Sequence, residues 1–210
     1  MSLLVVRNKR AGFTLVELSI VMVIIAILAV AILRSQSVID TANVTEVIKS
    51  IGDVRAAVGT FKQRYHYLPG DFPIDRVNPE IPNVQAACRI SGANAGNGNG
   101  SIEPIESVCA SEDLIRAELI EGDPLQPIAN RFGNVTLARV ANSGATVAFP
   151  ATVQNVLVLT NISCAVALEI DRKIDDGDLT SGTVRGSKNN TFCTTPGNEK
   201  IVLASFAVAL

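Results

Sequence analysis

The chain has no tryptophan and a single histidine, His66, among 210 residues. One histidine excludes multi-histidine metal sites and leaves any Ser-His-Asp or Cys-His hydrolase dependent on that residue. Charge is sparse and balanced: 18 basic against 20 acidic side chains give a formal net charge of −2, with no basic stripe after Arg10. Such a balance leaves no electrostatic footprint for nucleic acid. No proline precedes Pro69, so nothing in the first third forces a helix to break. Cysteine is limited to Cys88, Cys109, Cys164 and Cys193. No two of them stand at metal-ligand spacing, which argues against a zinc knuckle. The length suits one domain plus a hydrophobic segment, enough to bury a core without a metal or cofactor.

What is present is concentrated at the front. Residues 1–12 carry Arg7, Lys9 and Arg10 and no acid, and from Phe13 to Leu33 only Thr14, Glu17 and Ser19 are not apolar. At about 1.5 Å per residue that stretch crosses a hydrocarbon core of about 30 Å. Positive charge ahead of it keeps the front end cytoplasmic and sends the rest outward. Three readings compete: a secretory signal cut after Ala31 in Ala29-Val30-Ala31, a plain membrane anchor, or a leader removed ahead of the apolar run. Glu17 discriminates among them. Lipid disfavours a carboxylate, and a disposable signal or inert anchor gains nothing from one. Cleavage between Gly12 and Phe13 creates an α-amino group four residues before Glu17, one helical turn away, where each charge neutralises the other.

Lys9-Arg10-Ala11-Gly12-Phe13-Thr14-Leu15-Val16-Glu17-Leu18 resembles the type IV prepilin leader and cleavage/methylation motif shared by type IV pilins and the pseudopilins of type II secretion. The resemblance implies that a prepilin peptidase cuts between Gly12 and Phe13 and methylates the Phe13 amine. It implies that Glu17 meets a neighbouring subunit's N-terminus during filament assembly. It also implies a precursor in the bacterial inner membrane with a cytoplasmic N-terminus and a periplasmic domain. From there an assembly platform would move the chain into a helical filament of like subunits, in a pilus at the cell surface or in the periplasm. The expected organisation is a leader at 1–12, a membrane and assembly half-helix at 13–33, an amphipathic half at 34–67 and a globular domain at 68–210. Many major pilins carry a proline in the membrane half; this chain has none, so helix melting on assembly is not carried over.

The second half of the helix shows in Val44, Val47, Ile48, Ile51, Val54, Val58, Phe61 and Tyr65, at steps of three and four. Asp40, Glu46, Lys49, Asp53, Arg55, Lys62 and Arg64 fill much of the other face. Leu68-Pro69-Gly70-Asp71 ends it. The irregular stretch 78–106, with the Gly- and Asn-rich run 92–100 at its centre, reads as a mobile surface loop, and lacks the Gly-Lys-Ser/Thr ending of a phosphate cradle. Ser111 reads as the cap of a short helix with Glu112 and Asp113 in its first turn, ending at Gly122. Strands are expected at 133–140, 146–150, 153–159 and 201–208, and a second short helix capped by Asn161 or Ser163 and ending at Gly177. The class is α+β: a long N-terminal helix on an antiparallel sheet, as the resemblance also implies.

An even cysteine count behind an export segment favours two disulfides. Four cysteines allow three pairings; the sequential pairs Cys88–Cys109 and Cys164–Cys193 are expected, each closing a polar, glycine-bearing loop. The run Asp171-Arg172-Lys173-Ile174-Asp175-Asp176-Gly177-Asp178 sets acids against the negative end of a helix dipole. Calcium would satisfy Asp171, Asp175, Asp176 and Asp178 with oxygen ligands. The EF-hand pattern fails, because counting back from Gly177 puts Arg172 at its first ligand position. The competing expectation is a turn neutralised by Arg172 and Lys173. Major secretion pseudopilins hold calcium in their C-terminal region, but their ligands have no matched counterparts in this run. No other cofactor is expected. Against a filament subunit stand a pseudopilin, a secreted binding protein, and a membrane-anchored enzyme built on His66 or the acidic run.

Overall fold

A computed structural model describes residues 14–74, 80–89, 92, 95–143 and 149–210, with the backbone alone for 31–40. The chain divides into Met1–Ala42 and Asn43–Leu210. Helix α1, Leu15–Tyr65, contributes to both.

In the first unit the large apolar side chains from Leu15 to Val30 are all half or more exposed. Among the described residues no helix is long and apolar enough to cross a membrane. The described side chains of the run stop at Val30, whereas the apolar sequence continues to Leu33.

In the second unit α1 buries Val44, Val47, Ile51, Val54, Ala57, Val58 and Phe61, while Glu46, Lys49, Asp53, Lys62 and Arg64 face solvent. The stripe of three- and four-residue steps is the buried face. Arg55 departs from the solvent face: it is partly buried and donates from Nε (3.0 Å) and Nη2 to the carbonyl of Ala209. The helix ends ahead of the proline turn. His66 takes φ +65° and its N–H bonds the Lys62 carbonyl, a left-handed residue that closes the last turn before Pro69 is reached.

The rest is a five-stranded antiparallel sheet in the order β1-β2-β3-β5-β4, with helices around it. The strands are β1 Ile128–Ala129, β2 Asn134–Arg139, β3 Asn155–Leu159, β4 Val184–Gly186 and β5 Phe206–Ala209. The fold class is α+β and is consistent with a pilin-like fold. Alternation sorts the sheet's side chains by face. Val135, Leu137, Leu157, Leu159, Phe206 and Val208 join Ile51, Val54 and Phe61 in one core. Val156, Ala207 and Ala209 join Phe149 in a smaller cluster on the other face. Strand β5 is therefore buried on both faces.

Several expectations are corrected. Helix α2 is Ser107–Arg116, not a helix capped by Ser111. Ser111, Glu112 and Asp113 lie in its interior, buried, and the helix stops before Glu118 at φ +58°, short of Gly122. Phe149 and Pro150 carry no strand, and 146–148 lie outside the described residues. The expected strand at 201–208 is extended only from Phe206, with Val202 making an isolated bridge to Ser163. The short strands β1 and β4 and helix α4, Asn190–Thr194, were not expected. They hold two to five residues each, too few for a periodic signal. Helix α3, Cys164–Ile174, starts after Ser163 and stops at Asp175 rather than Gly177.

Cys88 bonds Cys109 of α2, and Cys164 at the start of α3 bonds Cys193 of α4. These are the sequential pairs, and no cysteine is free. They close loops of 21 and 29 residues; by the chain-entropy argument such loops are worth roughly 3 kcal/mol each.

Candidate functional site

Gly12 and Phe13 lie outside the described residues, so the structure begins one residue past the expected cleavage point. Thr14 and Glu17 form a reciprocal pair at the start of α1. Thr14 donates its backbone N–H and its hydroxyl to Glu17 Oε2, both at 2.8 Å, and Glu17 N–H donates to Thr14 Oγ1 at 3.2 Å. This is a capping box, Thr-x-x-Glu, which satisfies two N–H groups that the first turn leaves without partners.

The box changes the reading of Glu17. Its carboxylate has a local use in any helix that starts here, so its presence does not by itself demand a new amine. Helix α1 begins at Leu15, and the expected pairing of Glu17 with the Phe13 amine lies outside the described residues. The signal was readable: Ser or Thr followed three residues on by Glu, ahead of an apolar run. Ser19 is also bonded within the helix, donating to the Val16 carbonyl at 2.8 Å. All three polar residues of the run are thus tied to its first turns, and what the helix offers outward beyond them is apolar.

The acidic run forms a tight turn after α3. The Asp171 carboxyl is fully buried, and neither oxygen has a hydrogen-bond partner among the described residues. Asp175 Oδ2 accepts from the N–H groups of Thr183 and Val184, at 2.5 and 2.7 Å. Asp176 accepts from Asp178 N–H at 3.0 Å and from the Ser181 hydroxyl. Asp171, Asp175 and Asp176 each bring a carboxylate oxygen within 4.8 Å of the others. Asp178 is not in that group; its Oδ1 accepts from the Thr180 N–H and hydroxyl. Burial first, then the charges of Asp175, Asp176 and Asp178, push the Asp171 carboxyl up to about 7. The bond from Ser181 holds Asp176 below the usual carboxylate range. The expected neutralisation by Arg172 and Lys173 is not what the structure contains: Lys173 pairs with Glu169 at 3.5 Å, and among the described residues no ion pair reaches the acids. Gly182 fits this turn closely, since a Cβ there would lie 2.1 Å from Asp175 Oδ2.

A second set of acids escaped sequence reasoning. Asp71, Glu106, Glu112 and Asp113 are all buried near α2. Asp71 accepts from the N–H groups of Asn99 (3.0 Å) and Gly100 (2.7 Å). Glu106 accepts from those of Asn97 (3.0 Å) and Glu103 (2.9 Å). Asp113 accepts from Gly70 at 2.7 Å, and Glu112 from Gln85 at 2.9 Å. Asn155 closes the set, accepting from Ile102 N–H and donating to the Gly100 carbonyl. The glycine-rich stretch, in its described part, is therefore a clamped loop and not the mobile one expected. Its N–H groups find carboxylates supplied from elsewhere in the chain. Burial pushes the Asp113 carboxyl up to about 8, with Glu112 adding to the rise and the Gly70 N–H opposing it.

His66 is exposed and serves to end α1.

Residues 7–33 match the family model described as the prokaryotic N-terminal methylation motif. The motif is typical of type IV pilins and pseudopilins. It implies a pilin or pseudopilin that is processed by prepilin peptidase and anchored in the inner membrane before assembly. No curated protein and no solved structure matches the chain.

Proposed function

We propose that this chain is a structural subunit of a type IV pilus-like filament, cut between Gly12 and Phe13, methylated at Phe13 and assembled through α1. The observation that carries the reading is the exposed apolar surface from Leu15 to Val30 inside the matched motif. Apolar surface of that extent needs a cover; lipid supplies it before assembly and the helices of neighbouring subunits afterwards. The leader at 1–12, the apolar half-helix, the amphipathic half and the domain from 68 onward then have successive roles. They are removal, burial in bilayer and filament, attachment to the domain, and the filament's outer surface. The disulfide-bonded domain suits a periplasmic or cell-surface location and favours a pilus over a secretion pseudopilus. The motif supports a structural role.

Glu17 has a second use in this reading. All its described carboxylate bonds fall on Oε2, which leaves Oε1 to accept from a neighbour's N-terminal amine. Capping and charge are separable by substitution. Glu17→Gln retains the capping box and removes the charge; Glu17→Val removes both. Both variants are expected to be cut normally, and both to fail in filament assembly, by immunoblot and electron microscopy. Normal filaments from Glu17→Gln would show that the carboxylate acts only as a cap. Gly12→Ser is expected to leave the precursor uncut. N-terminal sequencing of the mature chain should begin at Phe13, and a start at Ile32 would overturn the reading.

A further inference from the structure

We propose that Asp171, Asp175 and Asp176 form a binding site for one calcium ion, closing the turn between α3 and β4. Three carboxylates converge with their oxygens within 4.8 Å of one another. A crowd of surface acids would not suffice, but the innermost member is different. Asp171 is completely buried, and both of its oxygens lack a partner among the described residues while its carboxylate sits in the group. An ionised carboxylate so placed needs a positive charge beside it.

Among the described residues no cation forms an ion pair with these acids; Arg185 acts on Asp176 and Arg55 on Asp175 only from a distance, and neither acts on Asp171. Lys173 is turned to Glu169. Arg185 gives its guanidinium to the carbonyls of Thr180 (2.6 Å) and Gly182 (3.3 Å). Arg55, whose charge is felt by Asp175, is bonded to the Ala209 carbonyl. The C-terminal end of α3 adds the negative end of a helix dipole.

The donors are oxygens alone, which selects a hard cation over zinc or copper. Three convergent carboxylates exceed what magnesium ordinarily takes from protein, because magnesium keeps most of its water. The aim of the ligands is built in. Two backbone N–H groups hold Asp175 through Oδ2, leaving Oδ1 open. Ser181 and the Asp178 N–H orient Asp176, which is exposed and leaves the site an entry from solvent. Water would complete the coordination on that side. Such an ion would tie the last turn of α3 to the segment that leads into β4.

The test uses the full chain purified in detergent, stripped with chelator and titrated with calcium chloride or magnesium chloride by calorimetry, with a thermal melt in parallel. One calcium per chain and a raised melting temperature are expected, with weaker binding of magnesium. Asp171→Asn and Asp176→Asn should each weaken calcium by roughly tenfold or more, and Asp178→Asn, whose carboxylate lies outside the converging group, should weaken it far less. Should Asp171→Asn fail to fold, Asp176→Asn, at an exposed position, decides alone. No heat and no shift in melting with calcium would overturn the site. So would binding that survives Asp176→Asn, or preference for magnesium. Neither result touches the filament reading, which rests on residues 7–33.

Discussion

The domain holds two groups of acids, one buried around α2 and one gathered about the buried Asp171 after α3, that differ in what they bond. Around α2, Asp71 and Glu106 each accept from two backbone N–H groups of the loop they face, and Asp113 accepts from Gly70. After α3, Asp175 and Asp176 are bonded in the same manner, but Asp171 at their centre accepts nothing among the described residues. A buried carboxylate that satisfies backbone donors is a structural clamp. One that satisfies none is a demand for a ligand or a proton. The difference lies in local bonding and not in acid content.

The comparison is broken most severely by removing a clamp. Asp71→Ala leaves the N–H groups of Asn99 and Gly100 without their acceptor and is expected to destabilise the domain by about 2–4 kcal/mol, read from denaturant midpoints. Asp171→Asn in calcium-free buffer above neutral pH is expected to cost nothing by the same assay, because it removes an unpartnered charge. A loss as large as that of Asp71→Ala would erase the distinction. Next in size is Gly96→Ala. Its Cβ would meet the Asp71 carbonyl carbon at 2.4 Å, so the clamped loop must shift, at about 1–3 kcal/mol.

The third prediction concerns pH. The Asp113 carboxyl is raised from 3.8 to about 8 in the folded chain. Between those values the folded state holds a proton that the unfolded state has released, so stability falls as pH rises. Melting temperature in chelator should drop from about pH 4 to about pH 8, and Asp113→Asn should flatten much of that slope. Asp171, raised in the same direction, supplies the part that remains up to about pH 7. A slope unchanged in Asp113→Asn would remove Asp113 from the account. The smallest effect is expected at Asp178→Asn. Among the described residues the carboxylate's hydrogen bonds stay within a local turn with Thr180, and the change in midpoint should stay within about 0.5 kcal/mol.

Legibility followed the range of the interaction. The stripe from Val44 to Phe61 was readable because a helix buries one face at a fixed period, and those residues are the buried ones. Strands β2 and β3 were readable from their Val, Leu and Thr content. The start of α2 was misplaced because Ser111, Glu112 and Asp113 imitate a cap and an acidic first turn. Their burial against Gly70 and Gln85 depends on segments 43 and 27 residues away. The clamped loop was misread for the same reason: its own composition is that of a flexible segment, and its acceptors lie outside it. At the N-terminus a local bond went unread: Thr14, three residues back, is a capping partner for Glu17.

The sequence by itself determined the motif at 7–33, the apolar run behind it, the amphipathic continuation of α1 and the α+β class. Each of these is written in spacing along a few turns or strand steps, and local periodicity needs no knowledge of what lies across the fold. Only the tertiary structure decided which acids are clamps and which stand without a partner. It also decided that the glycine-rich loop is held and that Cys164 meets Cys193 across 29 residues. The physical reason is that a carboxylate's role depends on the donors brought to it. Those donors are backbone N–H groups, which every residue but proline carries and which only folding places.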